Sequence, residues 1–306
     1  MEQTIFDTVI LGGGPAGYTA ALYAARANFS VLLLEKLAPG GQMATTDVID
    51  NYPGFPEGIH GFDLAVKMKE SAERFGVQTK LAEVVEAELT GEIKEIKTKK
   101  ETFFARTVVL ATGARPRELG LPGERELRGR GVSYCATCDG MFYRGKIAAV
   151  VGGGNTAAAD ALYLSRICEK VYLIHRRDTL RAQKAYLAPL EQAENVELIW
   201  NSRVEALLYQ DTLTGLRVKH TVSGEEQELL CDGLFVAVGY LPETGLFQDQ
   251  LELSEAGYVK ADETTRTSLP GVYAVGDLRE KPLRQVITAA ADGAVAVHFM
   301  EEYLNR

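Results

Sequence analysis

Two cysteines separated by two residues and followed by an acid, Cys135-Ala136-Thr137-Cys138-Asp139, are the residues best suited to chemistry in this chain. Thiols at this spacing can close into a small disulfide ring. One sulfur of such a pair commonly has a lowered pKa, so it is partly thiolate and can exchange with another disulfide. The adjoining carboxyl is close enough to move a proton to or from a thiolate. A zinc half-site competes with this reading, but zinc takes four ligands, usually from a second CxxC or a paired histidine motif. The remaining cysteines, Cys168 and Cys231, are single and irregularly spaced, and His60, His175, His220 and His298 are scattered. A structural cross-link gains little from so short a ring. The pair therefore reads as a redox centre, and Cys168 and Cys231, in apolar surroundings, read as core residues.

Glycine fingerprints on both sides of this stretch show what must position it. Residues 8–11 read as a short buried parallel strand, followed by Gly12-Gly13-Gly14-Pro15-Ala16-Gly17, a small-residue helix to about Ala27, and a second strand, Val31 to Leu34, ending in Glu35. Strand, glycine turn, helix, strand and acid form a complete dinucleotide context. Gly12, Gly14 and Gly17 let the backbone approach a pyrophosphate, the N-terminus of the helix that starts around Pro15 and Ala16 supplies N–H groups and positive dipole, and Glu35 can hold a ribose hydroxyl. The loop through Lys36, Gly40, Gly41 and Gln42, and the segment around Asn51, lie where loops line a ligand crevice, although a surface turn explains the individual glycines equally well. A helix over 62–75 follows. Alternating residues from Val84 to Ala105 read as an antiparallel excursion, and a buried strand returns at Val108 to Leu110 before Ala111-Thr112-Gly113.

The second half repeats the first. A strand at 147–151 leads into Gly152-Gly153-Gly154-Asn155-Thr156-Ala157, and the helix and strand that follow sit 140 residues after their counterparts, as Gly152 does after Gly12. A second meander spans about Val204 to Leu230, and Ala237-Val238-Gly239 echoes Ala111-Thr112-Gly113. The chain thus reads as an α/β protein of two Rossmann-like, three-layer ββα nucleotide-binding domains, the second inserted in the first. The expected boundaries are 1–114 with 246–306 for the outer domain and 115–245 for the inner one. The copies differ where the acid should stand. His175 occupies the position of Glu35, with Arg176, Arg177 and Arg181 beside it. Guanidinium groups in place of the carboxylate suit a 2′-phosphate. The outer copy reads as an FAD site and the inner copy as an NADPH site, and a dithiol set between the two fingerprints suggests an electron relay.

At the C-terminal end, a short strand over 271–275 stops at Gly276-Asp277, and Arg284-Gln285-Val286 precedes a small-residue helix to about Glu302. Asp277 is placed to meet a ligand hydroxyl, and the helix start could face an electron-rich ring edge. Ordinary capping fits these residues as well. The composition is 46% hydrophobic and 25% charged with a net charge of −9, which disfavours nucleic acid as a partner. No stretch approaches the ~20 apolar residues of a membrane helix, and Met1 to Asp7 carries no basic leader, so a cytoplasmic protein is expected.

Over essentially its whole length the sequence resembles the low-molecular-weight, bacterial-type thioredoxin reductases. The resemblance rests on GGGPAG at 12–17, GGQ at 40–42, ATGA at 111–114, CATCDG at 135–140, GGGNTA at 152–157, HRRDTLRA at 175–182, VGD at 275–277 and RQVITAAADG at 284–293. It implies FAD in the outer domain, NADPH in the inner one, a homodimer, and thioredoxin as the protein substrate. Cys138 would face the flavin, Cys135 would exchange with thioredoxin, and Asp139 would donate the proton. Asp277 and Arg284-Gln285-Val286 would contact FAD. The family also implies a rotation of the inner domain, with hinges near Ala114–Pro116 and Glu243–Leu246. The run Ala157-Ala158-Ala159-Asp160, with Asn155, departs from the Asp-Ser and paired-glutamate version common in the family, a difference that bears on nicotinamide affinity rather than on fold.

Three other readings use the same parts. Glutathione- and lipoamide-type reductases carry their cysteine pair shortly after the first acid, but residues 39–47 contain no cysteine. A flavin-dependent reductase of another small dithiol protein keeps the same motifs, whereas relatives fed by a donor other than NADPH have lost the HRR cluster that this sequence retains at 175–177. A flavin-containing sensor would use the pair as a switch without rapid turnover.

Overall fold

A computed structural model describes residues 4–46 and 48–305. Met1–Gln3, part of the stretch expected to carry no basic leader, and Asp47, which closes the cysteine-free loop, lie outside the described residues. The chain divides into two compact units, Met1–Arg115 with Leu241–Arg306 (unit 1) and Pro116–Tyr240 (unit 2). The second junction of these units falls between Tyr240 and Leu241. Glu243 donates its N–H to the Gly113 carbonyl (3.0 Å) and accepts the Thr112 hydroxyl at its own carbonyl (2.9 Å), which ties the returning chain to unit 1.

Unit 1 is a three-layer sandwich. Strands Ile5–Leu11, Val31–Glu35, Gln78–Leu81, Thr102–Leu110 and Val272–Ala274 run parallel, and Val84–Glu88 and Lys94–Thr98 extend the same sheet antiparallel. Alternate side chains of a strand point to opposite faces, so one strand serves two cores. Ile10, Leu33 and Val109 pack against the helices Pro15–Arg26 and Val286–Leu304, and Val9, Leu11, Leu34 and Leu110 pack against Ala87, Ile96, Phe247 and Val259 on the other face. The two helices cross very closely. A side chain on Gly293 would run into the backbone of Ala16 and Ala20, so only glycine permits the approach.

The excursion and the returning strand, read separately from sequence, are one strand, Thr102–Leu110. No glycine or proline interrupts these residues. The strand pairs antiparallel with Lys94–Thr98 at its start and parallel with Ile5–Leu11 and Val272–Ala274 toward its end.

Unit 2 repeats the plan with one difference. Its parallel strands, Val132–Ser133, Gly233–Ala237, Ile147–Gly152, Lys170–Ile174 and Val196–Ile199, form one sheet, while the meander Ser202–Tyr209, Leu213–His220 and Glu226–Leu230 is a separate sheet. The meander covers Ala149, Val151 and Val236 on one face, and the helices Asn155–Ser165 and Lys184–Gln192 cover Ala148, Val150 and Phe235 on the other. The layers are therefore β, β and α in both units. Among the described residues, no helix is long and apolar enough to cross a membrane.

Candidate functional site

The redox stretch sits at the edge of the parallel sheet of unit 2. Val132–Ser133 pairs with Leu234 and Phe235, the chain turns at Cys135, and a single helical turn, Ala136–Asp139, follows. The Cys135 carbonyl accepts the N–H groups of Cys138 (3.2 Å) and Asp139 (3.1 Å). This brings the two cysteine Cα atoms to 5.3 Å, and the sulfurs form a disulfide. Ala136 is buried among residues of the helix Asn155–Ser165 and the sheet, while Cys135 and Cys138 are half-buried. Met141 and Phe142, immediately beyond the turn, are exposed.

A buried brace supports this turn from beneath. The Glu124 carboxylate accepts the N–H groups of Leu119 (2.8 Å), Gly120 (2.7 Å) and Leu121 (3.2 Å) and the hydroxyl of Tyr134 (2.9 Å). The Tyr240 hydroxyl donates to the Tyr134 carbonyl (2.7 Å). Burial pushes the Asp139 carboxyl upward, opposed by a hydrogen bond from Ser133 and by the nearby charge of Arg128. Cys168 and Cys231 are free and buried. Burial, with Asp232 adding to it, pushes their thiols up to about 11 and about 12, so they are poor nucleophiles.

In unit 1 the glycine turn is shaped around Glu35. This buried carboxylate accepts the N–H of Gly13 (2.6 Å) through Oε2 and of Leu37 (2.9 Å) through Oε1. Gly40 donates to the Gly13 carbonyl (2.7 Å), which lays the loop Gly40-Gly41-Gln42 beside Gly14. A side chain at Gly17 would strike the Gly12 carbonyl, which accounts for the third glycine of the fingerprint. Ala111 donates its N–H to the Leu11 carbonyl at the end of the central strands, and Gly113, two residues on, has a left-handed φ of 73°. Lys36, by contrast, is exposed and engaged with Glu83 (2.7 Å).

The C-terminal residues of the motif lie around the start of the helix Val286–Leu304. Asn51 donates to the Gln285 side chain (3.0 Å), and Gln285 and Thr288 form a reciprocal capping box. Asp277 Oδ1 and Arg284 Nε are buried without a protein partner, and the Arg284 guanidinium lies 4.2 Å from the centre of the Tyr258 ring. Burial raises the Asp277 carboxyl, with Arg284 and Lys281 pulling it down. A buried acceptor and a buried donor left open suit a flat ring bearing polar groups of both kinds.

Sequence reasoning missed the cluster behind these residues. Asp292 accepts the Gly276 N–H (2.9 Å), a two-pronged contact from Arg279 (2.9 Å to each oxygen) and the Lys281 ammonium (2.7 Å). It fastens Gly276-Asp277 to the helix. Asp292 stands inside the RQVITAAADG run, yet nothing in that run marks it as buried.

In unit 2 the second fingerprint keeps the architecture and changes the chemistry. Arg181 donates its N–H to the Gly153 carbonyl (2.7 Å), as Gly40 does to Gly13, and Gln183 donates to the Asn155 side chain (2.8 Å). His175 is buried with its ring against Gly153, the place Glu35 takes beside Gly13, and the ring of Trp200 meets it edge-on at 6.4 Å. Burial, with Arg176 and Arg181 nearby, holds the His175 pKa below its ordinary value. The arginines behave otherwise. Arg176, Arg177 and Arg181 are exposed, and among the described residues none has an acidic partner. Gly154 opens the N-terminus of the helix Asn155–Ser165, Asn155 and Thr156 are exposed, and Ala157 packs beneath Gly152.

Comparison with known proteins gives this arrangement its context. The family described as pyridine nucleotide-disulphide oxidoreductase matches residues 6–293. The chain is 43% identical over 305 residues to a thioredoxin reductase of Bacillus subtilis, covering 99% of this chain and 96% of that one. It is 45% identical over 305 residues to a bifunctional thioredoxin reductase/thioredoxin of Mycobacterium leprae, covering 99% of this chain and 67% of the other. The solved structure of a thioredoxin reductase from Streptococcus pyogenes matches with a TM-score of 0.92 at 43% identity, over 99% of each chain. The chain belongs to the pyridine nucleotide-disulphide oxidoreductases and, within them, to the thioredoxin reductases.

Proposed function

We propose that the protein is a thioredoxin-disulfide reductase that takes electrons from NADPH by way of FAD and passes them through Cys135 and Cys138 to oxidised thioredoxin. The disulfide on a turn that also exposes Met141 and Phe142 carries the reading, because it puts an exchangeable sulfur beside an apolar landing surface. Unit 1 is the FAD-binding domain in this account and unit 2 the NADPH-binding domain. The Mycobacterium leprae relative, named for both a thioredoxin reductase and a thioredoxin, supports the choice of partner. A cytoplasmic homodimer completes the proposal.

Gly12, Gly14, Pro15, Ala16 and Gly17 receive a pyrophosphate at a helix start, and Glu35 has lone pairs left for ribose hydroxyls. Asp277 and Arg284 hold the ring and its chain through the atoms they leave open. Gly152, Gly154, Asn155, Thr156 and Ala157 form the corresponding cradle in unit 2, where Arg176, Arg177 and Arg181 grip the 2′-phosphate. Bound flavin supplies a two-electron carrier between nicotinamide and disulfide.

The exchange with the partner then uses the chain's own groups. The Cys135 thiolate attacks one sulfur of the partner disulfide, and the partner's other sulfur leaves with a proton from Asp139. The Cys138 thiolate attacks Cys135, re-forming the internal disulfide and releasing the second partner thiolate. Two electrons reach the partner, and the Cys135–Cys138 pair ends oxidised.

The test is substitution. Cys135→Ser and Cys138→Ser should each retain flavin and its reduction by NADPH while losing thioredoxin turnover. Near wild-type thioredoxin reduction by either variant refutes the relay. Anaerobic bleaching by NADPH, followed by recovery of the yellow form on adding oxidised thioredoxin, checks the donor and acceptor assignments together.

A further inference from the structure

Ser133 links the two ends of the redox turn. It is 4% exposed and belongs to the strand Val132–Ser133, whose register against Leu234 and Phe235 fixes its backbone. Its hydroxyl accepts the Cys135 N–H (3.1 Å) and donates to Asp139 Oδ2 (2.6 Å). One oxygen atom thus holds the backbone of the first cysteine and the carboxyl that follows the second. We infer that Ser133 is a positioning residue for disulfide exchange: its hydroxyl fastens the Asp139 carboxyl to the backbone of Cys135, so that acid and exchanging sulfur stay in one rigid unit. The inference rests on the thioredoxin-reductase reading above and assigns a part to a residue that never touches the partner.

The groups around Asp139 define what the hydroxyl does. Burial favours the neutral carboxyl, and the Ser133 hydrogen bond and the Arg128 charge favour the ionised one. Arg128 is held over the face of Tyr134 at 5.3 Å. Tyr143, on the next turn, feels the Asp139 charge, and the helix Asn155–Ser165 presents Tyr163 to Gly140. Arg128 acts at longer range, so Ser133 is the neighbour whose removal changes the acid most directly.

Ser133→Ala deletes one buried oxygen, and Ser133→Thr keeps the hydroxyl. The measurement is single-turnover reduction of oxidised thioredoxin by the anaerobically reduced holoenzyme across the pH range in which the protein stays folded. Asp139 is active as an acid, so the rate falls as pH rises through its pKa. Losing a donor to the carboxylate raises that pKa. The limb that falls with rising pH should move upward in Ser133→Ala by about one pH unit, a roughly tenfold change in ionisation. Ser133→Thr should return it toward wild type, and flavin content and NADPH affinity should not change. Independently of turnover, the Asp139 carboxyl in 13C-aspartate-labelled protein, assigned with Asp139→Asn, should titrate at higher pH in Ser133→Ala. An unmoved limb, a uniform loss of rate without a shift, or an unchanged carboxyl titration overturns the inference. A wild-type protein that fails to reduce thioredoxin overturns the functional reading instead, so the two failures are separable.

Discussion

Asp160 offers a direct test of the electrostatics of unit 2. It lies on the helix Asn155–Ser165 among buried Ala157, Ala158 and Ala161, and burial alone raises its pKa from 3.8 to about 7. Such a carboxyl binds its proton more tightly folded than unfolded. The stability it allows is fully present below about pH 4, is lost as pH rises toward 7, and levels off above that. At about 1.4 kcal/mol per pH unit, the gap sets a ceiling of about 4 kcal/mol, and partial exposure to water brings the expected value to roughly 2–4 kcal/mol. Asp160→Asn removes the titration while keeping shape. The variant should gain on wild type between about pH 4 and about pH 7 and hold that gain above. Trp200, the only tryptophan in the sequence, lies in unit 2 and reports its unfolding by fluorescence. With a urea dependence of about 1–3 kcal/mol per molar, the midpoint difference at about pH 8 should reach roughly 1 M. A difference between variant and wild type that stays constant over this pH range refutes the reasoning, because a packing effect does not titrate.

Two further substitutions probe the nucleotide units. Arg176→Ala combined with Arg177→Ala should weaken NADPH by roughly 10- to 100-fold and leave NADH nearly unchanged, because only the former carries the 2′-phosphate; equal losses in binding titrations remove the 2′-phosphate assignment. Asp292→Ala strands Arg279 and Lys281 without their counter-charge and should cost about 3–5 kcal/mol in thermal unfolding of the apoprotein and the holoprotein. Burial acts to raise the Asp292 carboxyl, but Arg279 and Lys281 hold it below its ordinary range. The stability it contributes is therefore full above the unfolded carboxylate pKa and lost as pH falls through the lower folded value. Scans that show no acid-dependent difference between Asp292→Ala and wild type refute that account.

Much of the architecture was legible because each copy of the fold announces itself through local rules. A buried strand, a glycine turn and a small-residue helix recur 140 residues apart, and alternation marks both meanders. The redox turn was legible for the same reason, since its chemistry lies in adjacent residues. Long-range placement was not. Thr102–Leu110 reads as two pieces because its pairing partners change along its length, which sequence does not record. His175 is aligned with Glu35 and grouped with the arginines in sequence, yet its ring is packed inward against Gly153 while the guanidinium groups face solvent. Ser133 has no signature of type or spacing, and its importance comes from a sheet edge that brings it against residues two and six positions later. Asp292 resembles any polar residue on an alanine-rich helix until Arg279 and Lys281 fold over it.

The discontinuity of unit 1 has a consequence for how the protein is made. A ribosome releases all of Pro116–Tyr240 before it releases Val272–Ala274 and Val286–Leu304, the strand and helix that complete unit 1. Domains fold as their residues emerge, so unit 2 can assemble its core while the alanine face of Pro15–Arg26 is still uncovered. Closure of unit 1 waits for Gly293 to settle against Ala16 and for Asp292 to capture the Gly276 N–H. On the proposal that Asp277 and Arg284 hold the flavin, cofactor loading falls at the end of biosynthesis, because both residues also arrive late. On that same proposal, a nascent chain stalled before the final helix would present a folded redox turn with no means of charging it.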